Sequence, residues 1–257
     1  MSKLAAEDKF LDLSDYGRPI AKLFANQLKN TLFTPIHVTL LFGVSGLIAI
    51  YCILQNHYFL ASFFIILKSI IDAVDGELAR IKNTPSYVGR YLDSVFDIAL
   101  NFLFFMMICY RSETSFWMAL LAFFCIQLQG TLYNYYYVIL RNNSIGGDKT
   151  SKIFEDKSPV ALPGETQKWV NVWFGIYTIV YGIFDKIIHT LDSEAYKAKT
   201  FPNWFMTFVS IYGLGFQLLI IAVMLPMNWI EFIVPFFIIY SSLIFVIIGI
   251  RKTFFIA

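Results

Sequence analysis

The chain has 257 residues, of which 58% are hydrophobic and 15% are charged, whereas an average soluble domain is roughly 45–50% apolar and 25% charged. This composition excludes an ordinary soluble globular protein and indicates an integral membrane protein. The formal net charge of +2 is too small to indicate a nucleic-acid partner, so we expect no such partner.

The N-terminal segment, residues 1–33, is predicted to lie at the membrane surface. Between residues 7 and 30, apolar side chains such as Phe10 and Leu23 alternate with lysine and arginine, which is typical of an amphipathic helix in the interface. An ordinary polar leader is the alternative. Residues 1–30 lack the continuous apolar stretch of a cleavable signal peptide, and we expect no such peptide.

Six apolar runs follow, and each approaches or exceeds the ~20 residues that cross the hydrocarbon core of a bilayer. They are residues 38–54, 58–71, 94–110, 115–140, 204–225 and 229–250. The sequence therefore predicts an all-α polytopic membrane protein with six transmembrane helices, spans one to six. We expect one membrane domain over residues 1–257, with spans one to four in 34–140, a cytoplasmic or interfacial connection in 141–202, and spans five and six in 203–257.

Four aspartates lie at the predicted cytoplasmic ends of spans two and three. Asp72 and Asp75 are about one turn apart on a helix, and Asp93 and Asp97 follow Gly89 at four-residue intervals. Antiparallel packing of the two spans would bring these acids together. The small residues Gly76, Ala79 and Gly89 would leave room for a close approach of the backbones or of a flat ligand.

Four ionised carboxylates at membrane depth require positive partners, because each unpaired charge there costs roughly 2.5 kcal/mol or more. Divalent cations are such partners, and oxygen ligands select hard ions such as Mg²⁺, Ca²⁺ or Mn²⁺. Two such ions could clamp the oxygens of a phosphoryl displacement. The alternative is a set of helix-end salt bridges, for which the candidate partners are Lys68, Arg80, Lys82 and Arg90.

The spacing of these residues resembles the signature of the CDP-alcohol phosphotransferase family. Asp72-x-x-Asp75-Gly76-x-x-Ala79-Arg80 is followed, after eight residues, by Gly89-x-x-x-Asp93-x-x-x-Asp97, and every fixed position is filled. Residues 34–39, TPIHVT, also resemble the threonine-proline-asparagine start of the first span in that family. Ile36 stands where asparagine is usual, so an asparagine role there does not carry over.

The resemblance implies roles for particular residues. Asp72, Asp75, Asp93 and Asp97 would hold two divalent cations, Mg²⁺ or Mn²⁺, and Asp97 would also act as the general base. The CDP moiety would be bound by Gly76, Ala79, Arg80, Gly89 and Thr39. The resemblance also implies a homodimer, for which the sequence itself shows no interface.

Three further residues are candidates for the region that receives the acceptor alcohol. Asn101 continues the stripe of Asp93 and Asp97 by one turn, and Tyr133 and Tyr137 lie near the inner end of span four. A polar contact between helices explains Asn101 equally well. An interfacial aromatic belt is the simpler interpretation of the tyrosines.

Residues 169–190 are apolar enough to insert, but Asn171, Asp185 and Lys186 interrupt them. If this segment spanned the membrane, Arg251 and Lys252 would lie outside, against the rule that cytoplasmic loops carry the excess of lysine and arginine. We therefore predict an amphipathic helix between spans four and five, with seven spans as the alternative. The same rule predicts a cytoplasmic N-terminus. The links at 55–58, 111–114 and 226–228 would then lie outside, and Arg111 is the only lysine or arginine that they contain.

The resemblance implies a transferase of phospholipid biosynthesis that moves a substituted phosphate from a CDP-alcohol to an alcohol and releases CMP. The form of the motif favours CDP-diacylglycerol as the donor. A transferase that uses CDP-choline or CDP-ethanolamine and diacylglycerol is the alternative within the family, and a cation-binding membrane transporter is the alternative from another class. We expect an active site that faces the cytoplasm, in a bacterial inner membrane.

Overall fold

The computed structural model describes residues 4, 7–144, 155–198 and 200–255, and these residues form helices and connecting loops without a strand. Lys149 and Lys152 of the predicted connection lie outside the described residues. The α-helices, in chain order, are α1 (Arg18–Leu28), α2 (Pro35–Leu54), α3 (Tyr58–Lys82), α4 (Tyr87–Ser112), α5 (Phe116–Asn143), α6 (Gln167–Leu191), α7 (Asn203–Val209), α8 (Leu214–Met224), α9 (Ile230–Tyr240) and α10 (Leu243–Phe254).

Within the described residues, four stretches are long and apolar enough to cross a membrane: α2, α4, α5 and the stretch Ile230–Phe254, which contains α9 and α10. Residues 203–224, which contain α7 and α8, would make a fifth, although they bend by 53°. The predicted all-helical membrane class is therefore confirmed. The second predicted span, α3, is not among these stretches, because Lys68, Asp72 and Asp75 interrupt its apolar sequence.

Local capping sets the helix ends near the acidic residues. Thr34 and His37 form a reciprocal capping box at the start of α2, where Pro35 occupies the first turn. Asn83 ends α3 with a left-handed φ of 52°, and the Ser86 side chain accepts a hydrogen bond from the Gly89 amide at the start of α4. The short link between Asn83 and Ser86 thus turns the chain directly from one acidic helix into the other.

Helix α2 packs against both α3 and α4, whereas α3 and α4 make few direct backbone contacts. A Cβ atom added to Gly46 of α2 would lie 2.7 Å from Leu100 of α4, so this glycine permits the close approach. The backbones of α3 and α4 therefore do not pack closely at Gly76, Ala79 and Gly89 in the described residues, and room for a flat ligand there stays a prediction. A Cβ atom added to Gly76 would meet the side chain of Arg80, and one added to Gly89 would meet that of Ser86.

Helix α1 packs on α3 at the end of the bundle that carries the acids. Its small residues Ala21 and Ala25 are fully buried against Val74 and Leu78 of α3. Leu23 and Phe24 on the opposite side are 66% and 51% exposed. The N-terminal helix is thus shorter than the predicted stretch of 7–30. It presents an apolar face that no other part of the described chain covers.

A separate apolar core lies where α5, α7 and α10 meet the end of α6. It encloses a buried ion pair in which Arg251 Nε donates to Asp192 Oδ2 at 2.8 Å. The hydroxyl of Tyr136 donates to the same oxygen at 2.7 Å. Asp192 is 0% exposed and Arg251 is 3% exposed, so these contacts replace the water that both charges lose.

Candidate active site

Three of the four aspartates converge between α3 and α4. One carboxylate oxygen each from Asp72, Asp75 and Asp93 lies within 4.8 Å of the other two, and all three side chains are half-buried. The i, i+3 spacing on α3 places Asp72 and Asp75 on one face, and the turn at residues 83–86 brings α4 back alongside them. Carboxylates this close repel one another unless a cation lies between them.

Helix α2 supplies a hydroxyl to this group. Thr39 is buried, and its Oγ1 donates to Asp75 Oδ2 at 2.6 Å. A hydrogen bond to a charged acceptor is stronger than one between neutral groups. Thr39, which the resemblance assigned to the CDP moiety, is therefore in direct contact with the acidic cluster and orients one of its carboxylates.

Asp97 lies outside this group of three. Its carboxylate contacts the ammonium of Lys68. Lys68 precedes Asp72 by one turn on α3 and is only 1% exposed. Its Nζ also lies 3.9 Å from Asp72 Oδ2. The structure therefore links Asp97 to the other acids through a buried lysine, which the sequence indicated only as a possible helix-end salt-bridge partner.

The chemistry of these donors fits hard divalent cations. The three convergent ligands are all carboxylate oxygens, which suit Mg²⁺ and Mn²⁺ better than softer metals. Asp93 Oδ1 is buried, and no hydrogen-bond partner for it lies within the described residues. A buried carboxylate oxygen without a partner is costly, and coordination of a cation would satisfy it. The residues present therefore fit a hard divalent cation at this cluster.

A row of charged residues extends from the cluster along α3. Glu77 accepts from Arg80 at 2.8 Å and lies 3.7 Å from Arg18 of α1. The Arg80 guanidinium lies over Gly76, about 3.5 Å from the position that a Cβ atom there would occupy. Burial lowers the pKa of Arg18, but the carboxylates of Asp15 and Glu77 outweigh this, and the net shift is upward. The Arg18 guanidinium therefore remains charged.

The connection between α5 and α6 contacts the first turn of α4. Glu165 accepts from the Ser86 hydroxyl at 2.7 Å and from the Val88 amide at 2.8 Å. Glu155 accepts from Arg90 at 2.5 Å and from the Tyr91 hydroxyl at 3.0 Å. Neither glutamate could be predicted as a contact from the sequence, because each of these hydrogen bonds joins residues more than 60 positions apart. The connection thus holds the helix start that carries Gly89.

Two of the acceptor candidates contact the N-terminal segment. Tyr133 donates to Asp12 Oδ2 at 2.6 Å, and the ring of Tyr137 packs edge-on against Phe10. Tyr137 also lines a cavity of about 480 Å³ together with Arg18 and Lys22. Asn101 is buried on α4 one turn beyond Asp97. The structure therefore gives the Tyr133 hydroxyl a hydrogen-bonded partner in the N-terminal segment.

Together, the apolar helices and the carboxylate cluster define an integral membrane protein with a candidate metal-dependent site at the junction of α2, α3 and α4. Residues 32–255, nearly the whole chain, match the family model described as CDP-alcohol phosphatidyltransferase. The chain belongs to this family, as its acidic motif predicted. It is accordingly a membrane-embedded transferase that uses a CDP-alcohol as a substrate and contacts membrane lipid. No individual curated protein gives a significant match.

Proposed function

We propose that this protein transfers the phosphatidyl group of CDP-diacylglycerol to a polar alcohol and releases CMP. The observation that carries the proposal is the convergence of Asp72, Asp75 and Asp93 within 4.8 Å, in a chain of the CDP-alcohol phosphatidyltransferase family. Two divalent cations, Mg²⁺ or Mn²⁺, held by these residues and Asp97, would neutralise charge on the diphosphate.

Asp97 is the proposed general base. An alcohol is a poor nucleophile, so a carboxylate must accept its proton as the hydroxyl oxygen attacks the β-phosphorus of the CDP-alcohol. The bond to the α-phosphate oxygen then breaks, and CMP leaves with that electron pair. Asp97 lies two turns from Gly89 on α4, and Lys68 keeps its carboxylate directed toward Asp72. The acceptor alcohol would therefore approach from the side of α4.

Arg80 is the proposed phosphate contact. Its guanidinium can form bidentate hydrogen bonds to phosphate oxygens, and Glu77 holds it beside Gly76. Gly76, Ala79 and Gly89 would form the walls of the cytidine pocket. Thr39 would act on the substrate indirectly, through the orientation of Asp75.

A release assay tests the proposed reaction. The purified protein in nanodiscs would receive CDP-diacylglycerol with inositol phosphate, glycerol phosphate or serine, or CDP-choline or CDP-ethanolamine with diacylglycerol. We expect Mg²⁺- or Mn²⁺-dependent CMP release with CDP-diacylglycerol and loss of release with EDTA. Release only from the CDP-amino alcohols would reverse the donor assignment, and cation uptake without any CMP release would favour the transporter alternative.

The variant Asp97→Asn tests the general base. It should bind CDP in a metal-dependent manner and lose turnover, because the amide cannot accept the proton of the acceptor. CMP release at the rate of the unmodified protein would remove this role from Asp97.

We also propose six spans within one membrane domain of residues 1–257, formed by α2, α3, α4, α5, the pair α7 and α8, and the pair α9 and α10. Helix α3 has 25 residues, roughly 37 Å at 1.5 Å per residue, which is long enough to cross a bilayer despite its charges. Its charged side chains are turned toward α1, α2 and α4. Helices α1 and α6 would lie in the interface.

Contacts at the two ends of α6 support this topology. Glu165, just before α6, contacts the start of α4, and Asp192, just after it, contacts Tyr136 near the end of α5 and Arg251 near the end of α10. In the six-span topology, all three of these helix ends lie in the cytoplasm. An α6 that begins and ends on the same side does not cross the membrane.

A cysteine introduced at position 194 tests the orientation, in a chain whose native Cys52, Cys109 and Cys125 are first replaced by alanine. Glu194 is exposed, so the variant Glu194→Cys should react with a membrane-impermeant thiol reagent only after the cytoplasmic side is opened. Labelling of intact cells would favour seven spans. A bacterial inner membrane and a homodimer complete the proposal, and both rest on the family resemblance alone; crosslinking in native membranes tests the dimer.

A further inference from the structure

Lys68 is a lysine buried inside the bundle, in contact with the acids of the candidate active site. It is 1% exposed, its ammonium contacts the Asp97 carboxylate, and it lies 3.9 Å from Asp72 Oδ2. The ring of Phe42 on α2 covers the ammonium at 4.8 Å. A charged side chain this deeply buried persists only when it is paired, so its position is coupled to the acids.

The charges of the cluster explain what this cation can do. Four carboxylates balance two divalent cations without remainder, and the ammonium of Lys68 leaves the loaded site with one positive charge in excess. A diphosphate substrate is an anion, so this excess favours its binding. The same ammonium reduces the negative potential that attracts metal ions, because it competes with them for Asp72 and Asp97.

We propose that Lys68 is a positioning residue that directs Asp97 and sets the charge of the site, at the expense of cation affinity. The inference rests on the proposed two-cation function and adds to it a residue outside the family motif. The inference predicts opposite effects on two quantities: loss of the Lys68 charge should raise the affinity for metal ions and lower turnover.

The first measurement is the affinity for Mn²⁺ without nucleotide, read from the loss of the free Mn²⁺ electron paramagnetic resonance signal. Lys68→Met keeps the length of the side chain and removes the charge, and we expect it to bind Mn²⁺ about tenfold more tightly, since a charge at this distance shifts ionic equilibria by about one decade or more. Lys68→Arg retains the charge and should bind Mn²⁺ with the unmodified affinity.

The matched control is Lys82→Met, the same chemical change on the same helix. Lys82 is bonded to the backbone oxygens of Thr31 and Phe33, outside the acidic cluster. Its substitution should leave Mn²⁺ affinity unchanged. If Lys68→Met does not purify as a monodisperse protein, Lys68→Gln, which keeps a donor for Asp97, is measured in its place, with the same expected tightening.

The second measurement is CMP release at saturating Mn²⁺. We expect kcat to fall about 10- to 100-fold in Lys68→Met, the usual effect of removing a group that orients a metal ligand, with substantial recovery in Lys68→Arg. A merely structural role predicts a different pattern, because a disordered site would lose Mn²⁺ affinity and turnover together.

The outcomes separate the inference from the function on which it rests. Unchanged or weaker Mn²⁺ binding by Lys68→Met and Lys68→Gln, beside normal binding by the unmodified protein, would overturn the role of Lys68 alone. Absence of Mn²⁺ binding by the unmodified protein would contradict the two-cation function itself, and the role of Lys68 would fall with it.

Discussion

The protein contains two buried groups of charge that differ in their balance. Around Asp192, one carboxylate meets one guanidinium and one tyrosine hydroxyl, so the charges cancel within the fold. Around Asp93, three carboxylates converge, and the nearby Lys68 contacts Asp97. A balanced buried pair is complete without a ligand. An excess of acids requires a cation from outside, and this excess distinguishes a site from a structural contact.

The largest expected effect concerns the unbalanced group. Asp93→Asn removes a charge from the convergent carboxylates, and we expect CMP release to fall on the order of 10³-fold or more, because metal clamping of the diphosphate supplies several kcal/mol. Thermal stability in detergent should not fall, since one mutual repulsion is lost.

The control for this variant is Asp156→Asn, the same change at an exposed acid of the connection, which should retain activity. CMP release by Asp93→Asn within tenfold of the unmodified protein would show that the acid excess is not what makes this region a site.

The balanced group should respond in the opposite way. Asp192→Asn leaves the buried guanidinium of Arg251 without its counter-charge, which typically costs about 3–5 kcal/mol. In a chain of this size that loss corresponds to a fall of roughly 10 °C in the unfolding midpoint. The folded fraction should release CMP normally. A variant with normal stability and lost turnover would place Asp192 in the site and remove the contrast between the two groups.

The contrast also explains what could be predicted from the sequence. The acids of the motif lie at helical spacings, and local periodicity is readable without tertiary information, so Asp72, Asp75 and Asp93 could be assigned to one cluster. The same local analysis found the apolar helices. It could not find the packing of α2 against both acidic helices, because the contact with α4 depends on Gly46 and Leu100, which are 54 positions apart.

Ion pairs between residues distant in the chain could not be predicted from the sequence for the same reason. Asp192 and Arg251 are separated by 59 positions, and neither stands at a recognisable spacing from the other. From the sequence, Lys68 could be either a surface salt-bridge partner or part of a buried site. A lysine near a helix end is usually the former. Only burial distinguishes the two, and burial is a property of the folded chain.

The smallest expected effect concerns the contact between the connection and the acidic helix. Glu165 is bonded to the Ser86 hydroxyl and the Val88 amide at the start of α4. Glu165→Ala should cost about 1 kcal/mol, the usual value of a helix cap, and should lower kcat only a few-fold, because Ser86 still caps the Gly89 amide at 2.8 Å. Glu194→Ala, an exposed acid elsewhere, is the control and should change neither quantity.

A double-mutant cycle with Ser86→Ala sharpens this last prediction. If Glu165 acts through Ser86, the two substitutions together should cost less than the sum of their separate effects, since residues that share a hydrogen bond are not additive. Additive losses would mean that Glu165 acts through the Val88 amide alone. A loss of turnover in Glu165→Ala as large as that expected for Asp93→Asn would instead make the connection part of the site, because loss of a cap cannot account for three orders of magnitude.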